Sequence, residues 1–174
     1  MNLAKKKLPD TVEVEGSFYS IHTEHYNWFR FAQLLEDKET TFSDFDYLYK
    51  NEKPEDRKKG FEALLNFYYE KKELPRPDTE SDSTRVLDYT LDSDFIYSAF
   101  LECYGIDLID TPMHWHKVRA LINGIHSTKL NDVMSYRSYS GKDKELLKLK
   151  RIWALPEKDG YSDKDLEDFN KEFD

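Results

Sequence analysis

Three rows of large apolar side chains recur at one spacing. Trp28, Phe31, Ala32 and Leu35, then Phe61, Leu64, Leu65 and Tyr68, then Ile96, Ala99, Phe100 and Cys103 each fall at i, i+3, i+4 and i+7. That spacing places four side chains on one stripe of a helix, which must be buried against something. The first row predicts a helix over 25–37. The second predicts one running to about residue 72, with Pro54 in its first turn, where a missing N–H has no intrahelical partner. Pro75 lies just beyond its end. The third predicts a helix that stops at Gly105, the residue suited to a left-handed C-cap.

The remaining segments fit around these three. TVEVEGSFYSI at 11–21 alternates apolar and polar residues on both sides of Gly16. This is the period of a strand pair, predicted to turn at Gly16-Ser17. Ser43 with Asp46 three residues later resembles a capping box opening a short segment over 43–51. Trp115, Val118, Ile122 and Ile125 mark a helix ending near Gly124 to His126. Thr128 can cap a short helix carrying Leu130, Val133 and Met134. Leu146, Leu149 and Trp153 mark another before Pro156, and Ser162 with Asp165 can open a last one. The predicted fold is mostly α, a compact multi-helix bundle with a short N-terminal β-hairpin. It forms a single helical domain over 11–155, after a flexible leader at 1–10 and before an acidic C-terminal helix or tail at 156–174. LPRPDTESDSTR at 74–85 offers almost nothing to bury and predicts a mobile loop.

Only 39% of the 174 residues are hydrophobic, yet there are 12 Tyr, 11 Phe and 3 Trp, so rings must supply much of the buried area. Cys103 has no second thiol to pair with, which fits a reducing compartment. No run of about 18 apolar residues and no early apolar stretch suggests a span or a signal. A soluble cytosolic protein without membrane association is expected. The net charge of −9 disfavours a nucleic-acid partner. Charge is zoned: 78–110 holds nine acids against one base, 114–153 nine bases against three acids, and 157–174 eight acids against three bases. Zoning of this kind can hold neighbouring segments or subunits in register, or can simply mark solvated faces.

GIDLIDTPMHWHK at 105–117 is the stretch most open to a chemical reading. His114 and His116 lie about 200° apart around a helix axis, so they do not share one metal ion from a regular helix. His22 and His25 have helical spacing but span a strand-to-helix junction. No nucleophile motif, P-loop or zinc-protease pattern occurs, and no enzyme activity, metal or cofactor is expected. Asp107 is predicted to close a tight turn, and Asp110 or Thr111 to cap a helix whose first residue is Pro112. His114 and His116 then flank Trp115, either as shoulders of a buried anchor or as faces turned to a partner.

Three stretches together carry a resemblance: LPDTVEVEGSFYSIHTE, LDYTLDSDFIYSAFLECYGIDLIDTPMHWHKVRALINGI and VMSYRSYS. They resemble the small phage and prophage family called gp fifteen, found in long-tailed phages of Gram-positive hosts. The likeness is strongest at Asp94, Ile96, Tyr97, Phe100, Tyr104, Gly105, Ile106, Asp107, Leu108, Met113, His114, Trp115, Leu121, Tyr136 and Arg137. The family usually follows its His-Trp pair with a second aromatic, where this chain has His116, and 38–85 does not match closely. Members are encoded in the tail-morphogenesis cluster near the tape-measure gene. The resemblance therefore implies a tail assembly chaperone in the host bacterial cytoplasm that binds the tape-measure protein and keeps it soluble; zoned charge could let several copies self-associate into oligomers. His114, His116, Tyr136 and Arg137 are the candidate partner contacts. Two alternatives are a structural tail component retained in the virion and an acidic inhibitor of a host nucleic-acid-binding protein.

Overall fold

The computed structural model describes residues 7–70 and 85–156. The predicted leader up to residue 6, the loop over 74–84, and the tail from 157 lie outside the described residues. Those described form seven helices and a two-stranded hairpin, so the mostly α reading with an N-terminal hairpin is correct. They gather into two units: residues 7–70 with 112–120, and residues 85–111 with 121–156.

In the first unit, β1 (Thr11–Val14) pairs antiparallel with β2 (Ser17–Ser20), Val14 opposite Ser17. The turn is therefore Glu15-Gly16, one residue earlier than predicted. Both residues have positive φ, 52° and 80°, the backbone that a two-residue hairpin loop requires. Gly16 adopts it without steric cost, while Glu15 is fastened by an ion pair with Lys59. Val12 and Val14 point inward and are buried.

Helix α1 (His25–Leu35) buries Trp28, Phe31, Ala32 and Leu35, the whole predicted stripe. The short segment that follows is a 3-10 helix (Phe42–Leu48) opened by a Thr41/Asp44 capping box, two residues before the predicted Ser43/Asp46 pair. Asp46 is unavailable for capping because its carboxylate faces Lys53 and Arg57, each at 3.4 Å. Helix α2 (Arg57–Tyr69) starts three residues after Pro54, with Asp56 as N-cap accepting the Lys59 N–H at 3.1 Å. Pro54 is thus a packing residue rather than part of the first turn. A Cβ on Gly60 would come within 3.1 Å of the Pro54 ring and of the Tyr49 hydroxyl, which donates to the Gly60 carbonyl at 2.8 Å. Phe61, Leu64, Leu65 and Tyr68 are buried as predicted.

In the second unit, α3 (Ser93–Tyr104) buries Ile96, Ala99 and Phe100 and ends at Gly105 with φ 63°. The Gly105 and Ile106 N–H groups donate to Leu101 and Phe100 carbonyls, the left-handed cap predicted for this position. Helix α4 (Trp115–Ile122) ends earlier than the predicted 124–126. The left-handed Ser127 then leads to Thr128, whose capping box with Asn131 opens α5 (Lys129–Ser138). Helix α6 (Lys144–Ile152), capped by Asp143, packs on α5 without burying any residue completely.

Candidate functional site

The helix predicted to start at Pro112, with its cap at Asp110 or Thr111, instead starts at Trp115, directly after His114. Residues 113–115 run beside 23–25, with His25 N–H donating to Met113 O at 2.8 Å and Trp115 N–H to Thr23 O at 2.7 Å. Glu24 and His114 sit opposite each other in an antiparallel bridge, and α1 and α4 each begin at the next residue, His25 and Trp115. The His114 carbonyl accepts the Lys117 N–H, and its Nδ1 accepts the His116 N–H at 3.1 Å. Its Nε2 donates to the Pro9 carbonyl at 2.9 Å. Both ring nitrogens are used in a way that only the neutral Nε2–H tautomer allows. Burial lowers its pKa in the same sense.

The three side chains that follow complete the end of another helix. The last carbonyls of α2 have no intrahelical partner. Phe67 O accepts His116 Nε2–H at 2.9 Å, and Tyr68 O accepts both Trp115 Nε1–H at 3.0 Å and Arg119 Nη1–H at 2.6 Å. The Arg119 cation also complements the negative end of the α2 dipole. Trp115 is fully buried and stacks on Tyr68, ring centroids 5.1 Å apart at 10°. His116 stacks on Phe67 at 4.4 Å and is only 3% exposed. Its bare Nδ1 has no hydrogen-bond partner among the described residues, with the Glu70 carboxylate 3.9 Å away. Burial pushes the His116 pKa down to about 4, leaving the ring neutral near pH 7.

In the second unit, Asp107 closes its turn as predicted. Its Oδ1 accepts the Ile109 and Asp110 N–H groups at 2.9 and 3.3 Å, and its Oδ2 accepts the Tyr97 hydroxyl at 3.0 Å. The Ile109 bond contributes most to holding this carboxyl below its usual pKa. Leu108 is buried, Ile106 is half-buried, and the Tyr104 hydroxyl donates to Leu121 O at 2.8 Å.

Arg137 is the hub of this unit. Its guanidinium makes a two-pronged pair with Asp92, at 2.5 and 2.9 Å, and donates to Val86 O at 3.0 Å and Trp153 O at 2.8 Å. Asp92 also accepts the Asp88 N–H at 2.9 Å. Asp88 in turn is paired with Arg85 and accepts the Thr90 and Leu91 N–H groups. Both carboxylates are buried, which is tolerable only because each is paired and bonded. Sequence reasoning missed this network: Asp92 lies 45 residues from Arg137, and acids before a helix read simply as caps.

The four candidate partner contacts therefore separate. His116 and Arg137 are buried with their donors spent internally, so neither presents a face to a partner. His114 and Tyr136 are half-buried, and Lys129 lies 5.8 Å from the Tyr136 ring. Among the described residues no three His, Cys, Asp or Glu side chains are placed to hold a metal ion. A recess lined by Leu34, Leu35, Thr41, Phe42, Phe45 and Phe61 has a cavity volume of about 20 Å³, room for a single water.

No curated protein and no solved structure matches the chain. The family described as Bacteriophage Gp15 protein matches it over residues 4–155, a span that takes in the hairpin, the α2-capping segment and the Arg137 network. The chain belongs to the Bacteriophage Gp15 family.

Proposed function

We propose that this chain is a non-enzymatic tail assembly chaperone that binds and solubilises the tape-measure protein in the host bacterial cytoplasm. Membership of the phage family over residues 4–155 is the observation that carries the reading, together with the tail-gene neighbourhood the resemblance implies. The bonds of His114 to Pro9, His116 to Phe67 and His25 to Met113 support reading these histidines as cap and packing residues. In the first unit, exposed Phe18 and Tyr26 offer apolar contacts for a client. The acidic-inhibitor alternative is weakened, because Asp88 and Asp92, two of the acids on which it rests, are buried in internal ion pairs. Among the described residues no helix is long and apolar enough to cross a membrane.

Co-expression with the long tape-measure protein encoded nearby tests the proposal. A several-fold rise in soluble tape-measure protein, with the two co-purifying, is the expected result. Unchanged solubility with no complex would overturn it.

A further inference from the structure

Two oppositely charged helix faces in the second unit have no ionic partner among the described residues. On α3, Asp94, Tyr97, Leu101 and Glu102 fall on one outward face; Asp94, Leu101 and Glu102 are exposed, Leu101 by 41%. The Tyr97–Asp107 hydrogen bond ties the following turn to this face and adds Asp107, Asp110 and Ile109, the last 80% exposed. On α6, Leu146, Leu149 and Trp153 share the side turned toward α5, which leaves Lys144, Lys148 and Arg151 at i, i+4 and i+7 on the exposed side. Ile152, 62% exposed, borders that cationic strip. Among the described residues none of Asp94, Glu102, Asp110, Lys144, Lys148 or Arg151 is in an ion pair. The strips also match in length. Asp94 and Leu101, like Lys144 and Arg151, lie seven residues apart, about 10 Å of helix.

We infer that copies of this chain associate head to tail, the acidic α3 face of one against the basic α6 face of the next. Each copy carries one face of each sign, so the contact is heterologous and builds a ring or a filament rather than a two-fold dimer. The charge strips fix orientation and register, and Leu101, Ile109 and Ile152 supply the apolar contact between them. The association needs no client, so its failure and the failure of the chaperone reading are distinguishable.

Sedimentation velocity of the full chain in about 50 mM and about 500 mM salt tests this, because screening weakens exposed charge pairs. The wild type is expected to self-associate at low salt and to dissociate at high salt. Lys148→Glu with Arg151→Glu, and separately Asp94→Lys with Glu102→Lys, should each weaken association at least tenfold while far-UV circular dichroism stays unchanged. An equimolar mixture of the two double variants should associate again, since each then offers the face the other needs. A wild type that is monomeric at low salt, variants that associate like the wild type through some other surface, or a mixture that stays monomeric would each overturn the inference.

Discussion

Replacing Trp115 with alanine removes a fully buried ring and three kinds of contact at once. The indole stacks on Tyr68 at 5.1 Å, lies 6.4 Å from the Trp28 ring, and meets Phe29 edge-on at 5.7 Å. Its Nε1–H also satisfies a terminal carbonyl of α2. Truncating a buried tryptophan costs about 3–5 kcal/mol. Three ring contacts place Trp115→Ala in the upper half of that range, at about 4–5 kcal/mol. For a chain of this size that lowers Tm by about 10–15 °C, and it consumes a large part of a typical stability of roughly 5–15 kcal/mol. Trp115→Phe separates packing from hydrogen bonding. It keeps most of the stack and loses the Nε1–H, but Tyr68 O retains Arg119 at 2.6 Å and is not orphaned. A loss of about 1–2 kcal/mol is expected. Urea unfolding followed by far-UV circular dichroism measures both variants. An alanine variant that loses less than about 1 kcal/mol, or a phenylalanine variant as unstable as the alanine one, would refute the reasoning.

His116→Phe tests burial of a neutral imidazole. The folded pKa of about 4 lies below the unfolded value near 6.5, so the wild type keeps its full stability above pH 6.5 and loses it as pH falls toward 4, by about 2 kcal/mol at pH 5. The phenylalanine variant should lack this component of the pH dependence and gain on the wild type between pH 6.5 and 4; parallel stability curves would contradict it. Arg137→Met leaves Asp92 buried without its cation and should cost about 3–5 kcal/mol, with part recovered when Asp92→Asn is added; additive losses in denaturant unfolding would argue against the network. Gly105→Ala places a Cβ at φ 63° where no atom lies within 4 Å, so only the backbone pays, about 1 kcal/mol by thermal unfolding.

The helical stripes were legible because burial imposes a period on the sequence, as Trp28 to Leu35 and Phe61 to Tyr68 show. Gly105 and the Thr128 cap were legible for a related reason: a chain reversal or helix start must be solved within a few residues. Local signals mislead where a distant partner claims the residue. Asp46 has the spacing of a capping box but serves Lys53 and Arg57, and Pro54 suits a helix start but packs on Gly60. Pro112 suits a helix start but precedes the Glu24–His114 bridge, and α4 begins at Trp115. At the candidate site, spacing correctly marked Trp115 as an anchor. It did not show that His116 and Arg119 finish the C-terminus of α2, since their acceptors lie 49 and 51 residues away.

The chaperone account turns on when the protein is bound and when it is gone. Quantitative mass spectrometry of complexes isolated before tube assembly, and of finished phage particles from the same cells, measures both. The account predicts this chain bound to the tape-measure protein in the early complexes and absent from finished particles. Its presence in finished particles at the level of a tail subunit, or its absence from the early complexes, would contradict the account.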